Sequence, residues 1–354
     1  MRALNYLELE SRLERSGIGT AARHQRTALE ATDVAVVTSP WVGGSPSAAV
    51  RSLLTGDGFV RDYDLAHVNV IGPGSLAVAR HAKRNDVPLI LHAHVTREDF
   101  AESFRFSNQL AGPLGVYLRH FYSQADLVLV PSEYTKGLLE SYPVSAPIES
   151  ISNGVDVERL EGHEGLREEY RDRYGLEGMV VFAVGNVFER KGLTTFAHVA
   201  QATDYDFAWF GHYDTGPQAS KTVRHWTSDP PSNLTFTGWV EDVRGAYGAG
   251  DVYLFPTKNE NQGIAVLEAM ATGNPVVVRD IPVFEEFLTD GEDCLKASSE
   301  AGFVEALDRL HDDPDLRRRL GENARETARE HDLDHLGERL ASIYRDLVAE
   351  GARS

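Results

Sequence analysis

Strand-like apolar runs alternate with helix-forming stretches along nearly all of the 354 residues, and that alternation restricts the chain to parallel sheets built from β-α-β units. In the first half the runs are Ala3–Leu7, Val34–Thr38, Leu65–Val70, Pro88–His92 and Leu127–Val130. The second half restarts at Met179–Val184, followed by Phe207–Phe210, Leu234–Phe236, Val252–Phe255 and Val276–Val278. Between them Val157 to Gly178 is polar, carries no strand, and reads as a linker plus one helix from Arg167 to Tyr174. The expectation is an α/β protein of two doubly wound domains, 1–156 and 157–334, facing a central cleft. Ligands of open α/β folds bind beyond the carboxyl ends of the strands, so the loops there decide function. Past Ser298 the chain is helical and highly charged, with Pro314 opening one helix and Leu336, Leu340, Ile343 and Leu347 marking the face of a last one, within 335–354.

Composition narrows the setting. Cys294 is the single cysteine, so no intramolecular disulfide can form and a cysteine-based metal site is ruled out. No stretch approaches the roughly 18 apolar residues that span a bilayer, and Arg2, Glu8, Glu10 and Arg12 break up any leader-like core. A cytoplasmic protein, soluble or peripheral on the inner membrane face, is expected. The net charge is −19, with arginine supplying all but six of the 35 basic residues. Such an acidic, lysine-poor chain suits concentrated salt, although GC-rich coding and an ordinary acidic pI give the same composition. The charge is uneven, at −3 over residues 1–156 and −16 over 157–354. No nucleic-acid partner is expected.

The strongest local signal is Glu260-Asn261-Gln262-Gly263-Ile264-Ala265-Val266-Leu267-Glu268, after the strand Val252–Phe255. Glu260 falls in a strand-to-helix loop, Gly263 where a helix should begin, and Glu268 about two turns in. A helix start offers unpaired N–H groups and a positive dipole to a diphosphate, while nearby carboxylates accept hydrogen bonds from sugar hydroxyls. By spacing alone, two solvated glutamates flanking an amphipathic helix remain an equal reading. The continuation Ala269-Met270-Ala271-Thr272-Gly273-Asn274-Pro275-Val276-Val277-Val278 makes the signal specific.

The segment from Gly238 to Val278 resembles the donor-binding half of the retaining glycosyltransferases of family four, which have the GT-B fold. Further blocks agree in order: Ser16-Gly17-Ile18-Gly19, Leu91-His92-Ala93-His94, Val130-Pro131-Ser132-Glu133, Ile151-Ser152-Asn153-Gly154-Val155-Asp156, and Gly185 to Gly192. The resemblance implies that the backbone at Gly17 and Gly19 meets a donor diphosphate, and that Arg190 and Lys191 clamp it. Asn186 stands where many relatives carry an arginine, leaving Arg190 as the substitute cation. His94 would touch the donor sugar near its reacting carbon, with His92, on the same strand face, as a rival. Glu260 would hold sugar hydroxyls and Glu268 the ribose. The backbone of Gln262, Gly263, Ile264 and Ala265 would face the phosphates, and the base would lie near Trp239 and Val240. The catalytic set is then His94, Lys191, Arg190 and Glu260. The last helix, as in relatives, would return to the first domain. The donor would be a UDP-hexose or a GDP-hexose, with no metal required. Asp62-Tyr63-Asp64 and Asp204-Tyr205-Asp206 imitate a metal motif of the other glycosyltransferase fold, but both precede their strands and read as solvated turns.

The acceptor is less defined. Thr96-Arg97-Glu98-Asp99-Phe100, Ser103 to Leu110, Phe188 to Gly192, and Val278-Arg279-Asp280-Ile281-Pro282-Val283 look like a subgroup that glucosylates diacylglycerol-type lipids. Arg12, Arg15, Arg23 and Arg26, with Phe100, Phe104, Phe106, Leu110, Leu114 and Tyr117, could form a basic, apolar face for an anionic membrane. A helix packed on the sheet accounts for the same aromatics. A transferase building a polysaccharide or protein-linked glycan, and a sugar-nucleotide epimerase of the same fold, remain as alternatives.

Overall fold

The computed structural model describes residues 1–41, 62–97, 107–216 and 219–351, and the side chains at 107–111 are outside that set. The expectations for Phe100, Phe104, Phe106 and Leu110 therefore lie outside the described residues. Two compact units are present. One comprises the described residues of Met1–Arg97, Ala111–Gly154 and Leu333–Ser354, the other those of Glu98–Leu110 and Val155–Asp332.

The first unit carries strands β1 (Arg2–Tyr6), β2 (Ala35–Val37), β3 (Leu65–Val68), β4 (Leu89–His92), β5 (Leu127–Val130) and β6 (Ile148–Ser150). They form a parallel sheet in the order β2-β1-β3-β4-β5-β6. Helices α1 (Glu10–Leu13), α2 (Gly17–Glu30), α3 (Pro73–Arg84), α4 (Ser107–Tyr122, of this unit from Ala111 on) and α5 (Glu133–Glu140) accompany it. Strand alternation divides the core in two. Leu4, Tyr6, Ala66, Val68, Leu89 and Leu91 face one layer, whereas Ala3, Leu65 and Ile90 face the other, together with Ala28 and Leu29 of α2.

The second unit carries β7 (Val180–Val184), β8 (Asp206–Phe210), β9 (Leu234–Gly238), β10 (Val252–Phe255), β11 (Val276–Arg279) and β12 (Cys294–Ala297) in the order β12-β11-β10-β7-β8-β9, again parallel. Its helices are α6 (Arg167–Tyr174), α7 (Leu193–Gln201), α8 (Lys221–Ser228), α9 (Arg244–Ala249), α10 (Ile264–Ala271), α11 (Glu300–Asp312) and α12 (Pro314–Arg329). The strand order reverses between β7 and β10, which makes the carboxyl end of that pair the place where loops diverge and a ligand can enter. Val181 and Ala183 join the aliphatic layer under α7 and α11, while Phe182 meets Tyr247 and Tyr253 edge to face on the other side. Helix α6 is anchored by Arg167 and Arg171, both ion-paired to Asp251 at 2.5 and 2.6 Å.

The last helix, α13 (Leu333–Gly351), packs in the first unit, where Leu336, Leu340, Ile343 and Tyr344 share a core with Ala28, Leu29, Leu65 and Ile90. Gly337 is the contact point: a Cβ there would lie 2.2 Å from the carbonyl oxygen of Ala28 in α2. Both Asp-x-Asp sequences are turns at the amino ends of strands. Asp64 accepts from the Arg2 amide at 2.8 Å, and Asp206 from the Glu177 amide at 2.6 Å.

Candidate active site

The loops after β7 and β10 meet at the reversal of the second sheet. Gly192 makes the approach possible. It has φ +81°, and a Cβ on it would fall 2.1 Å from the Pro256 carbonyl oxygen. Arg279 fastens the same turn from below, donating through Nε to the Pro256 carbonyl at 3.1 Å and through Nη2 to Thr195 at 3.0 Å. Burial holds the Arg279 pKa below its usual value. The half-buried Lys191 ends a 3-10 turn, Glu189–Lys191, with Nζ 5.4 Å from the centre of the Phe255 ring and close against Gly185, whose φ is +127°. Asn186 is half-buried at the end of β7.

Arg190 occupies a different position from its neighbour. It is 8% exposed, and its Nη1 donates to the Asn259 carbonyl at 2.9 Å and lies 3.7 Å from the Glu260 carboxylate. Its own carbonyl accepts from the Lys258 amide at 2.8 Å. The guanidinium is thus engaged with the loop that carries Glu260. Glu260 is nearly buried, and Asn261 and Gln262 beside it are buried.

Gly263, at φ +98°, leads into α10, and its carbonyl accepts from the Val266 and Leu267 amides. Helix geometry places the amides of Ile264 and Ala265 before the first intrahelical bond, so they point outward with the positive end of the dipole. Glu268 lies farther along α10 and accepts from the Tyr247 hydroxyl at 2.6 Å. Burial, reinforced by the Glu268 charge, raises the Tyr247 pKa well above the ordinary phenol value, so the hydroxyl stays protonated as donor. Trp239 is 42% exposed and Val240 buried, just past β9. That strand is two places from β7 in the sheet, about 10 Å away.

In the first unit, Ser16 caps α2 by accepting from the Gly19 amide at 3.2 Å. Gly17 has open space where a side chain would stand, whereas a Cβ at Gly19 would meet the Leu13 carbonyl oxygen at 2.1 Å. Gly17 thus leaves a helix start unscreened, and Gly19 allows the preceding turn to pack. His94 follows β4 and is 8% exposed. Its ring stacks on His92 with centroids 4.0 Å apart, and His92 stacks on His67 at 5.4 Å. His94 Nε2 lies 3.2 Å from Asn69 Oδ1. Burial pulls His67 and His94 down to about 3 and His92 well below its usual value, so all three rings are neutral near pH 7.

The proposed basic face is reduced here. Arg26 is 17% exposed and ion-paired with Glu10, and Arg23 is half-buried, while Arg12 and Arg15 are exposed. Leu114 packs on the core, and Tyr117 is partly exposed and stacks on Phe121. Among the described residues no cluster of three or more His, Cys, Asp or Glu is placed to hold a metal ion. No helix among them is long and apolar enough to cross a membrane.

Sequence reasoning missed Tyr247, Asn69, His67 and the role of Arg279. These residues sit 21, 25 and 25 positions from Glu268, His94 and His92, and 23 from Pro256. Packing of helices and strands distant in sequence brings them together.

Two arrangements of this kind in one chain invite comparison with known proteins. The family described as Glycosyltransferase Family 4 matches residues 16–159, and that described as Glycosyl transferases group 1 matches residues 178–313. The chain is 32% identical over 356 residues to the processive diacylglycerol alpha-glucosyltransferase of Acholeplasma laidlawii, spanning 98% of this chain and 99% of that protein. The chain belongs to the family 4 glycosyltransferases. A second relative of this glycosyltransferase is the alpha-galactosylglucosyldiacylglycerol synthase of Streptococcus pneumoniae, 26% identical over 86% of this chain and 83% of that one. The crystal structure of Anabaena HepE in complex with UDP and glucose shares the GT-B fold at TM-score 0.76 and 17% identity, covering 98% of this chain and 100% of that one.

Proposed function

We propose that this glycosyltransferase moves a hexose from a UDP-hexose to a diacylglycerol-type lipid, with retention of anomeric configuration, at the inner face of the membrane. The convergence of Lys191, Glu260 and the open start of α10 at the reversal of the second sheet carries the donor half of this reading. In it, the second unit binds the donor. Lys191 and the amides of Gly263, Ile264 and Ala265 take the diphosphate, Glu260 holds sugar hydroxyls, Glu268 holds the ribose, and the base lies toward Trp239 and Val240. Arg190 acts by fixing Glu260. The first unit handles the acceptor and contributes His94 and the helix start at Gly17.

The acceptor hydroxyl attacks the anomeric carbon from the face the nucleotide leaves. The bond from that carbon to the phosphate oxygen breaks, the new glycosidic bond forms, and the acceptor proton passes to a phosphate oxygen of departing UDP. Lys191 supplies the positive charge that this departure requires, so the step calls for no divalent ion and no pair of enzymic carboxylates. The lipid half is supported by the two glycolipid-forming relatives. The weak charge of residues 1–156 beside the −16 of residues 157–354 also suits an acceptor unit that meets an anionic surface. The acidic, lysine-poor composition supports a saline cell interior.

Melting the protein with a panel of nucleoside diphosphates and their hexoses, in low and molar salt, tests the donor site. UDP and UDP-hexose are expected to raise Tm through linkage, and Lys191→Ala to abolish the rise. A folded protein that no nucleotide stabilises at either salt would contradict the reading.

A further inference from the structure

The face of the first sheet under α2 and α13 holds a polar network whose hydrogen bonds admit one orientation. Register pairs Asn5 of β1 with His67 of β3, and His92 lies on the same face of β4. Arg26 on α2 can only donate. Its Nε lies 3.1 Å from one side-chain atom of Asn5, which must therefore be oxygen, and its Nη2 lies 3.2 Å from the Asn5 carbonyl oxygen. The Asn5 amide nitrogen then donates to Gln25 Oε1 at 2.8 Å. Asn69 approaches the Asn5 oxygen at 3.2 Å and must present its own nitrogen there, which turns Asn69 Oδ1 toward His94 Nε2 at 3.2 Å. An amide oxygen accepts only, so His94 carries its proton on Nε2.

The second branch agrees. With its oxygen used, Gln25 donates through Nε2 to His92 Nδ1 at 3.0 Å. His67 Nε2, 3.2 Å from the same nitrogen, donates as well, which leaves His67 Nδ1 to accept from the Tyr344 hydroxyl of α13 at 2.6 Å. Asn5, Gln25, His67, Asn69 and Tyr344 are fully buried, so water does not compete for these bonds.

We propose that Arg26, acting through Asn5 and Asn69, is a positioning residue that holds His94 as the neutral Nε2–H tautomer and makes Nδ1 the one acceptor nitrogen of its ring. The inference rests on the reading above in which His94 meets the donor sugar. A ring fixed in this way carries no proton on Nδ1, so that nitrogen accepts hydrogen bonds and donates none. Glu10 holds the outer end of the chain by pairing with Arg26.

Long-range proton–nitrogen NMR on the full ¹⁵N-labelled chain reports the tautomer directly, with the His94 signals assigned by their loss in His94→Ala. In the wild type a protonated Nε2 and an unprotonated Nδ1 are expected, and protonated Nδ1 would overturn the proposal without any network variant having to fold. In Arg26→Met the Nδ1–H form is expected to appear, with kcat lowered about tenfold and donor KM within about twofold of wild type, the pattern of an interaction lost in the transition state. Arg26→Lys keeps a donor and should restore the tautomer and most of the rate. An unchanged tautomer in folded Arg26→Met overturns the proposal. The underlying site reading fails separately: His94→Ala transferring hexose at the wild-type rate would remove His94 from the reaction even if Arg26 governs its tautomer.

Discussion

Glu268 and Glu260 have the same side chain and opposite neighbours. A protonated phenol holds Glu268 from below, and a buried guanidinium sits beside Glu260. Tyr247→Phe removes one charge-assisted hydrogen bond, so UDP affinity should fall about tenfold while the fold is kept, as isothermal titration would measure. Unchanged affinity would dissociate Glu268 from the nucleotide. Glu260→Ala removes the carboxylate itself and should lower kcat/KM at least about a hundredfold, on the order of 3 kcal/mol, in a donor-turnover assay. A near-normal rate would mean the site lies elsewhere. At this scale, what the sequence reveals is chemistry without partners. Glu260, Glu268 and Lys191 stand out as candidates in the sequence because loop position and motif agree. Arg190 reads in sequence as a diphosphate clamp beside Lys191, and its bond to the Asn259 carbonyl depends on a loop 69 residues away.

Strands were legible where their apolar run is unbroken. The runs Leu127–Val130 and Val252–Phe255 coincide with β5 and β10, and the helix from Arg167 to Tyr174 with α6. Strands β6 and β12 escaped because a charge interrupts each of their runs. Ile148-Glu149-Ser150 and Cys294-Leu295-Lys296-Ala297 each interrupt an apolar run with a charge, a common feature of strands at a sheet margin. The packing of α13 on α2 depends on Gly337, whose missing side chain lets the helices touch. Gly337→Leu forces the helices apart and should lower stability by about 2–3 kcal/mol in thermal or urea unfolding. An unchanged melting curve would show that α13 does not dock as described.

For the molecule as a whole, the alternation of strands and helices foretold two parallel sheets, and the strand order within each could not be read from it. The buried histidines have a further consequence. Each of His67 and His94 falls from 6.5 to about 3 in the fold, so the unfolded chain binds their protons first as pH drops. Their contribution to stability is full above about pH 6.5 and is lost as pH falls from there toward 3. At pH 5 the loss is on the order of 2 kcal/mol for each ring. Tm should therefore drop between pH 7.5 and pH 5, above the range in which ordinary carboxylates titrate, and less steeply in His67→Gln. A flat Tm over that interval would mean these rings are not held neutral.

The most direct measurement follows a labelled hexose. The full chain is incubated with UDP-glucose carrying the label, and with vesicles containing diacylglycerol and anionic phospholipid. The expected result is label in the lipid phase as an α-glycoside, formed by the wild type and lost in Lys191→Ala. Label that stays in water as free sugar or donor, while the protein still binds UDP, would contradict the lipid acceptor.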